Sequence, residues 1–441
     1  MESKGFIFDY SKCVACHACL VACYNENHTQ PPISWRQVQA HNKLKVPLSG
    51  FINLSIACNH CEDAPCLKAC PAKAYHKDSV TGAIIHTADK CIGCTYCTWA
   101  CPFDAPKYNA AKGVVEKCNF CNDRLKLGAI PACTNACPTG ALSFGSIEVC
   151  EIAVAPGVSN KPTSPRANFL NSDVVNSKPQ MDLGVSGFNP SQVPIIDVKP
   201  KINAIKEWPL VIFTLLSSLL VGWIIFLLFN PSSTNYGYYF IGLGLLGMGL
   251  SSLHLGKPFR AYRSIFNIKT SWLSREILLY SLFVGLSSIV FLFSSNLFLI
   301  LLTVLVGVLL LIAIEYVYSV ADKNYKTVIH SANTLLTAVT FGFLLTNYNS
   351  ISIGLIALKG VLYITRYAYK DSSITMLGLG LIRFFLGILM PLVCMMILNT
   401  PKVVIFFPFV VAELIDRFEY YNNLHIDTPL NLLSKSFSKG D

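Results

Sequence analysis

Sixteen of the 18 cysteines in this chain fall into four runs, and no other feature constrains its fold as tightly. The runs are Cys13-x2-Cys16-x2-Cys19-x3-Cys23, Cys58-x2-Cys61-x4-Cys66-x3-Cys70, Cys91-x2-Cys94-x2-Cys97-x3-Cys101 and Cys118-x2-Cys121-x11-Cys133-x3-Cys137. Pro71, Pro102 and Pro138 directly follow the last cysteine of three of them. Three thiolates at such close spacing wrap a short loop around one face of an iron–sulfur cubane. A fourth cysteine three residues further on points away and reaches a neighbouring cluster, and the proline after it stops the turn from continuing as helix.

Runs of this kind work in pairs, each lending its last cysteine to the other. The second and third runs are separated by only 20 residues, Pro71 to Lys90, the layout of a compact two-cluster unit. The first and fourth runs enclose it as a second unit. The expected ligand sets are Cys13, Cys16, Cys19 with Cys137; Cys118, Cys121, Cys133 with Cys23; Cys58, Cys61, Cys66 with Cys101; and Cys91, Cys94, Cys97 with Cys70. No position is vacant, so four [4Fe–4S] centres are expected and no three-iron centre. Zinc is the rival, since paired CxxC motifs bind it, but zinc does not call for x2-x2-x3 runs with a trailing proline. A disulfide framework fits less well, because no signal-peptide-like stretch precedes the runs. Cys150 and Cys394 are left over and read as packing residues.

The chain's 441 residues are 53% hydrophobic and 14% charged, averages that conceal two unlike halves. The expected fold is an α+β ferredoxin-like domain of two nested two-cluster units over residues 1–150. An extended linker follows over 151–206, then an all-α eight-helix transmembrane bundle over 207–425 and a tail over 426–441. In the first half the clusters take the place of a large apolar core, so metal binding and folding are coupled.

A membrane helix needs about 20 apolar residues. Eight stretches qualify, at about 209–229, 236–255, 276–294, 297–320, 327–346, 351–368, 374–398 and 402–420. Alternating helix direction puts eleven basic residues on the N-terminal side, among them Lys257, Arg260, Arg263, Lys269, Arg275, Lys326 and Lys370, against Lys402 alone on the other. The positive-inside rule then turns the cluster domain toward the cytoplasm of a bacterial inner membrane; the periplasmic face is the alternative. Polar residues within a bilayer are costly and point to function. His254, Glu276, Glu315, His330 and Glu413 all fall in the cluster-side leaflet, while Lys359 and Arg383 sit nearer mid-depth as counter-charges. The His254–Glu276 pair flanks the basic second loop. One imidazole with one carboxylate suits quinol oxidation, which needs a hydrogen bond to a ring hydroxyl and a proton acceptor. Arg275, Glu315 and His330 are candidate neighbours of that site. Gly242, Gly244, Gly247 and Gly249 form a stripe that permits close helix packing.

The four cysteine runs resemble those of the electron-transfer subunit of the dimethyl sulfoxide reductase group. The segment His254-Leu-Gly-Lys-Pro-Phe-Arg-Ala-Tyr-Arg, continuing to Ser271-Trp-Leu-Ser-Arg-Glu276, resembles the signature of that group's eight-span anchor subunit. The resemblance covers nearly all of the chain and places the family's quinol-site histidine and glutamate on His254 and Glu276. It implies menaquinol oxidation, electron passage along four clusters, and a molybdopterin catalytic subunit on a separate chain. That subunit would reduce an S- or N-oxide, nitrate or another oxyanion. The same wire run in reverse, reducing quinone, is the second reading. No molybdenum cofactor is expected in this chain, and its expected partners are that catalytic subunit, membrane lipid and the quinone pool, with no nucleic acid. The family's best-known members face outward, carried by an export signal on the catalytic chain, whereas the charge count here points inward.

Overall fold

A computed structural model describes residues 3–41, 52–147, 163–170, 201–231, 236–293, 296–323, 330–368, 374–398, 402–426 and 428–429. Cys150, Lys326, Lys370 and most of the expected linker and tail lie outside the described residues. The chain divides into two compact units, Met1–Lys199 with Ile426–Asp441, and Pro200–His425.

The first unit alternates short strands and short helices: β1 (Ser3–Asp9), α1 (Ala18–Asn27), β2 (Gln37–His41), β3 (Ile52–Ile56), α2 (Pro65–Ala69), β4 (Tyr75–Lys77), β5 (Ile84–His86), α3 (Tyr96–Ala100), β6 (Lys107–Asn109), β7 (Val114–Glu116), α4 (Asn122–Lys126), α5 (Ala132–Asn135), β8 (Leu142–Ile147) and β9 (Ala167–Leu170). Successive strands from β2 to β7 close three antiparallel pairs. α1 of the first run packs against α5 of the fourth, and α2 against α3 of the middle runs. β1 and β8 tie the two ends together, antiparallel with Ser3 opposite Ile147. Phe120 seals the centre, fully buried among Phe6 (5.1 Å), Phe144 (5.3 Å) and the stacked His60 ring (4.2 Å).

Part of the segment after residue 150 lies on this unit. β9, within the stretch read as linker, adds a parallel strand beside β1 with Phe6 opposite Ala167. Arg166 then clasps the unit: its backbone N–H donates to Asn59 O (2.9 Å), its Nη1 to Thr81 O (3.0 Å), and its Nε lies 3.4 Å from Glu62. The hydrogen bonds of an edge strand reward this segment for ordering.

The second unit is helical: α6 (Trp208–Phe229), α7 (Gly237–Leu253), α8 (Trp272–Phe293), α9 (Leu297–Val317), α10 (Thr334–Leu345), α11 (Asn349–Ala368), α12 (Ile374–Phe384), α13 (Met390–Val393) and α14 (Lys402–Asn423). Two π-helical turns, Phe385–Leu389 and Cys394–Leu398, interrupt the stretch expected as the seventh span. Four helical stretches among the described residues are long and apolar enough to cross a membrane: Trp208–Phe229, Trp272–Leu292, Leu297–Val320 and Gly378–Met396. A fifth is reached if α7 is joined to the 3-10 segment Pro258–Ile265, from which it bends by 103°. The remaining helices fall short of eight full spans. α10 has only 12 residues, and α11 and α14 carry buried charges along their lengths. α6 sits centrally, packed on α7, α9, α10 and α14. Half of the glycine stripe packs closely. Gly244 and Gly247 leave no room for a Cβ against Val284 and Tyr280 of α8, and the Tyr280 hydroxyl donates to Gly244 O (2.9 Å), whereas Gly242 and Gly249 face open space. Cys394 is buried in a cluster with Phe341, Ile388 and Phe409, as a packing residue would be.

Candidate functional site

Each cysteine run adopts the same local device. The residue two after the first cysteine takes a left-handed backbone: Ala15 (φ 53°), His60 (45°), Gly93 (72°) and Phe120 (67°). Only Gly93 does so without steric cost; for the other three the cost is about 1–2 kcal/mol each. The conformation turns that residue's N–H onto the preceding thiol. His60 N lies 3.5 Å from Cys58 Sγ, Gly93 N 3.4 Å from Cys91 Sγ and Phe120 N 3.3 Å from Cys118 Sγ, and the Ala15 N–H faces Cys13 likewise. Cys70 and Cys137 receive N–H donors from Ala74 (3.3 Å) and Leu142 (3.4 Å). Local strain is thus spent on donors aimed at sulfur, which favours thiolate over thiol.

The thiols lie close to thiols of other runs as well as their own, and Cys19 and Cys118 reach beyond their expected sets to Cys133 and Cys58. Cys13 is surrounded by Cys19, Cys137 and Cys16. Cys23 faces Cys133 and Cys121, and Cys118 faces Cys23, Cys133 and Cys121. Cys61 and Cys66 each face Cys58 and Cys101. Cys94 faces Cys70 and Cys91, and Cys97 faces Cys94, Cys70 and Cys91. The Cys23 thiol is pushed up to about 12, chiefly by burial and then by Cys133 beside it. At the half-buried Cys137 the effect of burial is outweighed by the N–H and hydroxyl donors around it, which lower the thiol instead.

The candidate quinol residues lie on two helices of the second unit, at the end of α7 and near the start of α8. His254 caps the C-terminal end of α7, and its Nδ1 is buried with no hydrogen-bond partner among the described residues. Glu276 lies one turn into α8, 4% exposed. Among the described residues no bond joins the two directly; the segment Pro258–Ile265 packs on both helices between them. The charge of Glu276 acts on Tyr318 and Tyr421, which hydropathy alone does not single out and whose hydroxyls bond to each other. Arg275 turns back toward its own loop, donating to Ile268 O (2.9 Å) and Lys269 O (2.7 Å) with its guanidinium over the Trp272 ring (4.2 Å).

Glu315 and His330 engage each other, 3.4 Å apart. Glu315 also accepts from Thr334 N (2.8 Å) and its hydroxyl (3.0 Å), and His330 stacks on Tyr420 (4.5 Å). The pair thereby links α9, the start of α10 and α14. The mid-depth counter-charges find partners on α14. Lys359 binds Glu413 (2.8 Å) and Thr337 (2.8 Å), while Arg383 binds Asp416 (2.7 Å), which Arg366 (2.5 Å) and Ser331 (3.0 Å) share. Asp416, Arg417 and Glu419 escaped the sequence reading because their stretch is apolar on average.

Cysteine runs whose thiols gather in one unit, and a helical unit with several membrane-length helices in the other, define an iron–sulfur electron-transfer protein that carries its own multi-pass membrane anchor. Residues 51–147 match the family model for a 4Fe-4S dicluster domain, and residues 202–377 match that for the DMSO reductase anchor subunit (DmsC). The chain is 38% identical over 208 residues to the B subunit of the anaerobic dimethyl sulfoxide reductase of Escherichia coli (strain K12), covering 43% of this chain and 98% of that one. It is 42% identical over 149 residues to the thiosulfate reductase electron transfer subunit PhsB of Salmonella typhi, covering 33% and 77%. To the B subunit of the polysulfide reductase of Wolinella succinogenes it is 36% identical over 166 residues, covering 37% and 86%. The protein belongs to the dimethyl sulfoxide reductase family, as a fusion of its iron–sulfur subunit with its membrane anchor.

Proposed function

We propose that this chain oxidises menaquinol in its anchor and passes the electrons, one at a time, through four [4Fe–4S] clusters to a molybdopterin catalytic subunit on a separate chain. The observation that carries the reading is the fourfold repeat of one cradle, with N–H donors on sulfur and one thiol borrowed from another run. The ligand sets are Cys13, Cys16, Cys19, Cys137; Cys118, Cys121, Cys133, Cys23; Cys58, Cys61, Cys66, Cys101; and Cys91, Cys94, Cys97, Cys70. When bound, the clusters supply one-electron carriage.

In the anchor, the unpartnered Nδ1 of His254 is suited to a hydrogen bond with a quinol hydroxyl. The buried carboxyl of Glu276 is suited to take the proton released as the quinol gives up its electrons, with the Tyr318–Tyr421 hydroxyl pair beside it to stabilise the charge. The distribution of basic residues favours a bacterial inner membrane with the cluster unit on the cytoplasmic face. The terminal acceptor is an oxidised sulfur compound of the kind named for the relatives. Replacing His254 with Ala or Glu276 with Gln is expected to abolish quinol oxidation while leaving the cluster spectra intact. Unchanged quinol-linked turnover in both variants would remove the site assignment.

A further inference from the structure

The iron–sulfur unit buries two cations that have no carboxylate partners. Arg36 is 2% exposed and Lys117 3% exposed, and neither is ion-paired to Asp or Glu among the described residues. Arg36 Nη1 donates to Ser55 Oγ (3.0 Å), which itself lies 3.4 Å from Cys19 Sγ; the guanidinium rests 4.6 Å over the Phe6 ring, and its buried Nε has no hydrogen-bond partner among the described residues. Lys117 Nζ donates to the carbonyls of Ile84 and Cys118 (2.8 Å). The anion-forming groups around both are thiols. The charges of Cys133, Cys19, Cys118 and Cys23 act on Arg36, and those of Cys58, Cys66 and Cys118 on Lys117, with Cys19 linked to Arg36 through Ser55 and Lys117 bonded to the Cys118 carbonyl.

A buried, unpaired cation costs several kcal/mol, so a protein keeps one only where a negative group compensates it. Four thiolates around an iron–sulfur core give a net negative site, and that site becomes more negative on reduction. A cation fixed beside it therefore favours the reduced form.

Resting on the four-cluster reading above, we propose that Arg36 and Lys117 are fixed counter-cations in two successive gaps of the wire and raise the reduction potentials of the clusters they face. Arg36 occupies the gap between the Cys13 set and the Cys118 set, with three of its four neighbouring thiols in the latter. Lys117 occupies the gap between the Cys118 set and the Cys58 set. The corresponding place between the Cys58 and Cys91 sets holds the uncharged Tyr75, which neighbours Cys97, Cys66 and Cys70. Both cations face the Cys118 set, so electrons are held preferentially in the middle of the wire. The Cys91 set faces neither.

The test is an EPR-monitored redox titration of the full chain in membranes, with R36Q, R36K and K117M beside wild type and signals assigned through single substitutions of Cys16, Cys61, Cys94 and Cys121. R36Q is expected to shift the Cys118-set midpoint downward by at least tenfold in its reduction equilibrium, 59 mV for one electron, and the Cys13-set midpoint by less. K117M lowers the Cys58 and Cys118 sets. R36K, which keeps the charge, stays at wild-type values, and the Cys91 set moves in none of them. Should R36Q fail to retain iron, R36K and K117M decide on the same criteria. Shifts below tenfold throughout, or equal shifts of all four signals, overturn the proposal. A wild-type chain showing fewer than four signals overturns the four-cluster reading, and this proposal with it, before any variant is compared.

Discussion

The crossing of cysteines between runs makes a prediction that a within-run arrangement reverses. Cys23 belongs by sequence to the first run, yet on α1 it is 5% exposed and faces Cys133 and Cys121 of the fourth. Replacing Cys23 with Ser should therefore disable the cluster of the Cys118 set and leave the Cys13 set whole. Four cubanes carry about sixteen iron atoms. C23S should lose about four of them, or about one if the remaining three thiols hold a three-iron centre. Double substitution decides between the arrangements, because losses within one site do not add and losses at separate sites do. C23S with C121S should lose about the four iron atoms of one cluster and no more. C23S with C16S should lose a second cluster, for about eight iron atoms in all. Iron analysis with EPR spin quantification reads both. If C23S and C16S lose the same single cluster while C23S and C121S lose two, the crossing is refuted.

Asp416 neutralises Arg366 and Arg383 in the interior of the anchor, so Asp416→Ala leaves two buried guanidiniums without that carboxylate. It should cost about 3–5 kcal/mol, seen as a lower unfolding temperature of the detergent-solubilised protein. A loss under about 1 kcal/mol, the value of an exposed pair, would contradict the buried network. Phe120→Ala removes the ring at the centre of the first unit and should destabilise it by about 3–5 kcal/mol, measured by denaturant-induced bleaching of the clusters. The pH dependence follows from His86, whose imidazole is lowered to about 4 by burial and then by the charge of Lys117. The unfolded chain takes up that proton near pH 6.5, so the folded state binds fewer protons between pH 6.5 and 4. Stability should be full above pH 6.5 and fall by up to about 3 kcal/mol as the pH drops through that window. His86→Gln should flatten the acid limb of a cluster-bleaching curve; an unchanged acid limb would count against it.

The cysteine runs and their iron–sulfur character were legible in the sequence because closely spaced thiolates ending in a cysteine three residues on suit a cluster loop. The left-handed residue in each cradle was not. Only Gly93 carries a compositional signal; Ala15, His60 and Phe120 adopt the same backbone because the thiol beside them rewards it. β9 lies about 160 residues from the strand it joins, and no local pattern announces such a pairing. Arg36 and Lys117 sit outside recognised motifs, and only the fold brings them among thiols. In the anchor, hydropathy located the helices but averaged over the charges of α14, which are tolerable only because Arg366, Arg383 and Lys359 on other helices meet them. It was equally blind to the bend after Leu253 and to the π turns near Cys394. His254 and Glu276 stood out as polar groups in an apolar leaflet, whereas the tyrosines beside Glu276 read as ordinary helix-end aromatics.

The central claim, that a quinol site and an iron–sulfur wire work together in one chain, is tested most directly without any catalytic partner. Membranes containing only this protein, oxidised and then mixed anaerobically with a menaquinol analogue, should show clusters reduced by EPR, and H254A and E276Q membranes should not. Clusters that dithionite reduces but quinol leaves oxidised in the wild-type chain would contradict the account.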